Sequence, residues 1–333
     1  MYDVIILGSG PAGLTAAIYT HRFGLKTLVV AGRTWGGQLQ LTTDVENFPG
    51  FSSITGPTLM QKMRDQVQGL GIEIIEKDFT KFETAVSPFT IRAEDQVYEG
   101  RAVIAATGAN TKWLEVPGEV RLRGRGVSSC APCDAFFFKG KPVAVVGGGD
   151  SAMEETQVIA NVSPDVVLIH RRDEFRAQHA MIEKITSLAN VRVLYNTRVV
   201  DVLGEQHVTG MLLETTTISK KQGVQTLPEL IAAFSGIPRT GMQWELPRSG
   251  VFVAIGLIPN TQPFPGLETD SHGYMKRREE HDENGSITYF TKTNIPGIFT
   301  AGDVHDARYK QAVTAAGFGC MAALDVQKWL TLH

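Results

Sequence analysis

The feature that most constrains this chain is a glycine turn that occurs twice. Near the N-terminus an apolar strand, Tyr2 to Leu7, runs into Gly8-Ser9-Gly10-Pro11-Ala12-Gly13 and then into the helical Leu14-Thr15-Ala16-Ala17-Ile18-Tyr19. Gly24 closes that helix, and Lys26 to Val30 reads as a second strand. The design returns with Pro142 to Val146, then Gly147-Gly148-Gly149-Asp150-Ser151-Ala152, a helix through Ala160 and the strand Asp165 to Ile169. Between a strand and a helix, glycines let the backbone approach a pyrophosphate, whose charge then sits at the positive helix N-terminus. A single such match is weak. Two in the right context predict two dinucleotide-binding folds of the α/β class, with contacts from Gly8, Gly10, Pro11, Ala12 and Gly13 in one and Gly147, Gly149, Asp150, Ser151 and Ala152 in the other.

The length agrees with that count. The chain has 333 residues, about twice an ordinary domain. At 43% hydrophobic and 20% charged it has the composition of a globular protein. The net charge of -3 argues against a general nucleic-acid or anionic-membrane binder, which needs a basic excess to neutralise phosphates. No run of 18 apolar residues occurs, and Met1 leads directly into the first strand, so a soluble cytoplasmic protein is expected.

The residues just after each second strand separate the nucleotides. An acid there holds a free ribose 2′-hydroxyl, whereas arginine suits a 2′-phosphate. After Ile169 comes His170-Arg171-Arg172-Asp173-Glu174-Phe175-Arg176, which predicts NADP(H), with Arg171, Arg172 and Arg176 on the phosphate. A solvated charge cluster of mixed sign is the competing reading. After Val30 the first unit offers only Ala31-Gly32-Arg33, so its ligand must be read elsewhere. The buried strand Ala102 to Ala106 ends in the small-residue turn Thr107-Gly108, and Ala301-Gly302-Asp303 presents a carboxylate for a ribityl hydroxyl. Lys310-Gln311-Ala312 opens a long final helix whose dipole favours the negative charge of a reduced flavin. These segments point to FAD.

Cys130-Ala131-Pro132-Cys133-Asp134 is the sharpest local motif. Two thiols three residues apart can open and close a small disulfide ring, and such surroundings lower one thiol's pKa. A zinc site needs two more ligands, yet Cys320 stands alone and no His-x₃₋₅-His pair exists. A static disulfide does not suit a reducing cytosol. No metal is expected; redox work is.

Taken in order, the first glycine turn, Gly36-Gly37-Gln38-Leu39, Glu46-Asn47-Phe48-Pro49-Gly50, the Cys130 to Asp134 motif, the second glycine turn, the His170 to Arg176 segment and the stretch from Gly302-Asp303 through Gln311-Ala312-Val313-Thr314 resemble the low-molecular-weight thioredoxin reductases. The dithiol just before the second glycine turn is specific to that class, since the glutathione reductase class carries its pair early in the FAD domain. The resemblance implies two Rossmann-like domains, an FAD domain made of residues 1–113 and 248–333 with an NADPH domain of residues 114–247 inserted, and a homodimer. It implies hydride transfer from NADPH to flavin, electrons passing to the dithiol, and a rotation of the NADPH domain between those steps. Cys133 would face the flavin, Cys130 would attack the disulfide of a thioredoxin-like partner, and Asp134 would be the acid/base. Gly37, Gln38, Asn47, Asp303 and Gln311 would contact FAD.

This chain departs from the family's pattern in three places. Ala135 replaces a glycine, Lys310 replaces an arginine, and the segment Ser219 to Arg248 is longer than the family's turn. With Leu230 to Phe234 and Met242-Gln243-Trp244 it belongs to neither nucleotide fold and reads as an insertion, covering the domain's own sheet, extending a dimer contact or touching the partner. Three other activities compete with the main one. They are a flavoprotein serving a peroxiredoxin or a small disulfide, a dithiol oxidase, and a flavin-binding sensor that needs no dithiol.

Overall fold

The continuous apolar run of the opening strand sets the first layer. In the computed structural model, which describes residues 1–41, 44–83 and 88–333, Tyr2–Leu7 sends Val4 and Ile6 to one face and Ile5 and Leu7 to the other. All four side chains are fully buried, as a central strand covered on both faces requires. It pairs in parallel with Thr27–Val30 and with Gln96–Ala105 in a seven-stranded sheet. The ten-residue strand Gln96–Ala105 changes partner along one edge: its first half closes an antiparallel hairpin with Phe89–Ala93, and its end pairs in parallel with Ile298–Thr300. The helix Pro11–Arg22, with proline at its start, and the final helix Ala312–Leu332 cover the Val4 and Ile6 face.

A second parallel sheet obeys the same logic, in the order Val127–Ser128, Gly250–Ala254, Val143–Gly147, Val166–Ile169, Val191–Leu194. Val143 and Val145 face the layer of the helix Asp150–Ala160. Ala144 and Val146 face a four-stranded antiparallel sheet made of Thr197–Leu203, Gly210–Thr215, Gln243–Pro247 and Ile237–Pro238.

The chain forms two compact units, Met1–Asn110 with Ile258–His333, and Thr111–Leu257. One expected boundary needs correction. The sequence returns residues 248 onward to the first domain, yet Gly250–Ala254 pairs with Val143–Gly147 at the centre of the second sheet, so the return falls after Leu257.

The segment read as an insertion is not an appendage. Leu230, Ile231, Phe234, Trp244 and Leu246 are buried against Val199, Val202 and Leu213 of the second unit's own sheet, and the Trp244 indole donates to Thr215 Oγ1 at 3.0 Å. Each such side chain stabilises the fold by roughly 2 kcal/mol, so removing them all would cost on the order of 10 kcal/mol, as much as a whole domain's stability. Gln243–Pro247 is a full sheet strand, paired from Gly210↔Pro247 to Glu214↔Gln243.

Candidate active site

Each glycine turn answers two different demands. A Cβ on Gly8, where φ is 119°, would lie 2.1 Å from the Ala106 carbonyl oxygen, and one on Gly13 would lie 2.0 Å from the Gly8 oxygen. The protein itself excludes side chains at both. Gly10, in ordinary extended backbone, is different: a Cβ there meets nothing within 4 Å. It caps the helix Pro11–Arg22 without a side-chain bond, leaving the first amides open to an anion. The second turn repeats this. A Cβ on Gly147 would lie 2.4 Å from the Ala254 oxygen, one on Gly149 meets nothing, and Gly149 caps Asp150–Ala160 with no side-chain bond. An open central glycine before an uncapped helix is a cradle that a Cβ would fill, and both turns therefore fit a pyrophosphate.

In the first unit the other candidate residues gather near this turn. Ser9 donates to the Ala31 oxygen at 3.0 Å and accepts the Gly36 amide at 3.0 Å, tying the turn to the segment that carries Gly37 and Gln38 in the short helical turn Gly37–Leu41. Gln38 donates to Asn110 at 3.3 Å, and Asn47 donates to the Gln311 side chain at 3.3 Å across 264 positions of sequence. Thr107 Oγ1 donates to the Asn260 oxygen at 2.7 Å, while Gly108 takes the positive φ of a turn.

Asp303 is the most informative side chain here. Burial, with Asp306 nearby, pushes its carboxyl pKa up to about 6 against the pull of Lys310, and its Oδ1 has no partner. A buried acceptor left open fits a hydroxyl-rich group such as a ribityl chain. Lys310 and Gln311 stand just before Ala312 at the start of the final helix. Lys310 has a φ of 53°, and the Asp306 carboxylate holds the bend by accepting the amides of Arg308, Tyr309 and Lys310 at 2.8 to 3.0 Å.

In the second unit the turn and the arginine loop are tied together three times. The Arg176 amide donates to the Gly148 oxygen at 2.8 Å, and the Gln178 amide donates to Asp150 at 2.8 Å. The His170 ring lies 2.9 Å from both the Gly147 and Glu174 carbonyl oxygens, and burial holds its pKa below the usual histidine value. Arg171, Arg172 and Arg176 are exposed, and among the described residues none of them forms an ion pair. Ala152 takes the third glycine's place, its methyl 2.6 Å from where a Gly147 Cβ would sit; Ser151 precedes it in the first helical turn.

Cys130 and Cys133 are joined by a disulfide within this unit. Cys130 caps the turn Ala131–Asp134, and its carbonyl accepts the amides of Cys133 at 3.2 Å and Asp134 at 3.1 Å. Its own amide donates to Ser128 Oγ at 3.1 Å, and the Glu155 carboxylate accepts the Ala131 amide.

Sequence reasoning missed Glu155, Asp306 and Asn260. No local motif marks them, because each acts on backbone that lies far away in sequence or within a turn. Among the described residues no group of three His, Cys, Asp or Glu side chains is placed to hold a metal ion, and no helix is long and apolar enough to cross a membrane.

The sequence pattern of the pyridine nucleotide-disulphide oxidoreductases matches residues 2–319. The chain is 42% identical over 332 residues to a thioredoxin reductase of Mycolicibacterium smegmatis, covering 99% of this chain and 97% of that one. The chain belongs to the pyridine nucleotide-disulphide oxidoreductases, among the thioredoxin reductases. The crystal structure of thioredoxin reductase from Streptococcus pyogenes superposes with a TM-score of 0.85 at 35% identity, covering 100% of this chain and 99% of that one. A protein of Pseudomonas fluorescens named glucosaminate ammonia-lyase is 41% identical, over 98% of this chain and 95% of its own. Membership implies a flavin and a nicotinamide nucleotide as cofactors.

Proposed function

We propose that this chain is an NADPH-dependent, FAD-containing reductase of a thioredoxin-like protein disulfide. The observation that carries the reading is the Cys130–Cys133 disulfide placed in the same unit as the arginine-flanked second glycine turn. An ammonia-lyase activity would leave those two cysteines without a task.

The first unit would hold FAD at Gly8, Gly10, Pro11, Ala12 and Gly13, with Gly37, Gln38, Asn47, Thr107, Gly108, Asp303, Lys310, Gln311 and Ala312 around it. The second would hold NADPH at Gly147, Gly149, Asp150, Ser151 and Ala152, with Arg171, Arg172 and Arg176 on the 2′-phosphate. When bound, these groups supply the electron pair that reopens the disulfide, with Cys133 as the thiol on the flavin side.

From there the chemistry is the chain's own. The Cys130 thiolate attacks one sulfur of the partner's disulfide, forming a mixed disulfide and releasing the partner's other sulfur as thiolate. Cys133 then attacks Cys130 Sγ, and the partner leaves with both cysteines reduced. Two electrons and two protons pass to the partner in all, and Asp134 protonates a leaving thiolate. The same reading includes a homodimer, which sedimentation of the purified protein tests.

The direct test follows NADPH consumption with a panel of oxidised thioredoxin-like proteins, peroxiredoxins and small disulfides. Wild type should turn over a thioredoxin-like protein. Cys133→Ser should not, while keeping its flavin. Wild-type turnover by Cys133→Ser, or no turnover with any panel member, would overturn the reading. Asp134→Asn should slow turnover by roughly 10²-fold.

A further inference from the structure

The inserted segment makes contacts that its role in the core does not require. Ahead of its buried residues it forms the short turn Lys220–Gln222, and that turn lies against the arginine loop. Ser219, only 3% exposed, donates its hydroxyl to the Asp173 carboxylate. Lys221 donates to the Asp173 carbonyl oxygen at 2.8 Å, and Gln222 donates to the Val193 oxygen at 2.8 Å. The Lys221 ammonium lies 5.4 Å from the Tyr195 ring, which packs on Phe175 at 5.3 Å, and Phe175 packs on His170 at 5.0 Å.

Asp173 and Glu174 both stand between Arg172 and Arg176, where a carboxylate paired with those guanidiniums would neutralise an anion site, yet among the described residues neither forms such an ion pair. Ser219 engages Asp173. The loop backbone is pinned at Arg172, whose carbonyl accepts the Asn196 amide at 3.3 Å, at Asp173 and at Arg176. Ordering free backbone on binding costs affinity, so a loop held in place before binding retains affinity that a free loop would lose.

We infer that Ser219 and Lys221 form a brace, specific to this chain's insertion, that holds Asp173 away from the arginines and sets the affinity of the loop for a nucleotide 2′-phosphate. The inference rests on the NADP(H) reading of that loop. Ser219 and Lys221 are positioning residues, not substrate contacts.

The test titrates 2′,5′-ADP and 5′-AMP into the flavin-loaded enzyme and its Ser219→Ala and Lys221→Gln variants, with turnover measured alongside. Each variant should bind 2′,5′-ADP about 10-fold more weakly and raise KM for NADPH by a similar factor. Binding of 5′-AMP, kcat at saturating NADPH and the thermal transition should stay within about two-fold or a few degrees of wild type. Ser219→Ala removes no charge, so its effect separates bracing from simple loss of a cation. Affinity for 2′,5′-ADP within two-fold of wild type in both variants overturns the brace, as does an equal loss for 5′-AMP. If Ser219→Ala fails to fold, Ser219→Cys, which keeps the side chain's size and likewise removes no charge, decides by the same criteria. Wild type binding 2′,5′-ADP no more tightly than 5′-AMP refutes the NADP(H) reading itself and the brace with it.

Discussion

The two glycine turns share one plan but are held in place by different means. In the first, Gly8 needs a φ of 119° and Gly13 must lie bare against the Gly8 carbonyl, so backbone contacts alone fix the shape. In the second, Gly147 avoids the positive-φ region, Ala152 stands in the third position, and Asp150 and His170 bind the turn to the arginine loop. The first is a rigid cradle set by sterics. The second is a cradle coupled to the arginine loop. In both, the protein's own packing excludes a side chain at the outer glycine and leaves the central one open, a division that the repeated sequence motif does not reveal.

The largest effect expected from breaking this comparison comes from the outer glycines. Gly8→Ala and Gly147→Ala each drive a methyl into a carbonyl oxygen and should cost about 3 kcal/mol or more, with positive φ adding to the penalty at Gly8. Chemical denaturation measures the loss. For Gly8→Ala it should be accompanied by loss of the flavin absorbance, whereas Gly147→Ala should stay yellow.

The central glycines should behave in the opposite way. A Cβ at Gly10 or Gly149 meets no protein atom within 4 Å, and Gly10→Ser and Gly149→Ser supply the side-chain cap that these helices lack, so the cofactor-free protein should hold or gain up to about 1 kcal/mol. Ligand binding should fall: FAD in the first variant and NADP⁺ in the second, each by roughly 10-fold or more as the cradle fills. Calorimetric titration beside thermal melts of the same samples checks both halves.

A third effect concerns pH in the first unit only. Asp303, raised from 3.8 to about 6 chiefly by burial, binds its proton more readily folded than unfolded. Its contribution to stability in the flavin-free protein is therefore fully present below about pH 4 and is lost as pH rises through 6. That shift corresponds to about 3 kcal/mol. Asp303→Asn should flatten this part of the stability-against-pH curve. A flavin-free wild type whose stability does not fall between pH 4 and 6 would contradict the assignment.

Much of this architecture is legible in the sequence, because continuous apolar runs and glycine spacing are local signals. Tyr2–Leu7 and Val143–Gly147 are readable as continuous apolar runs, and the helix starts from Pro11 and Asp150. The features that escape are those fixed by distant partners. Gly250–Ala254 resembles any apolar strand, and only its pairing with Val143–Gly147 assigns it to the second unit. Leu230 and Trp244 carry a hydrophobic signal without a period long enough to show which sheet they cover. Glu155 and Asp306 act on backbone amides, so no motif spacing marks them.

The central claim is that two nucleotide cradles serve one dithiol. Its most direct test is anaerobic alkylation of the purified enzyme after addition of NADPH or NADH, with the labelled cysteines located by mass spectrometry. NADPH should bleach a bound flavin and expose two new labelling sites, Cys130 and Cys133, with Cys320 labelled to the same extent throughout and NADH far less effective. A flavin-bearing enzyme whose Cys130 and Cys133 remain unlabelled after NADPH, or are labelled equally with either nucleotide, would contradict the account.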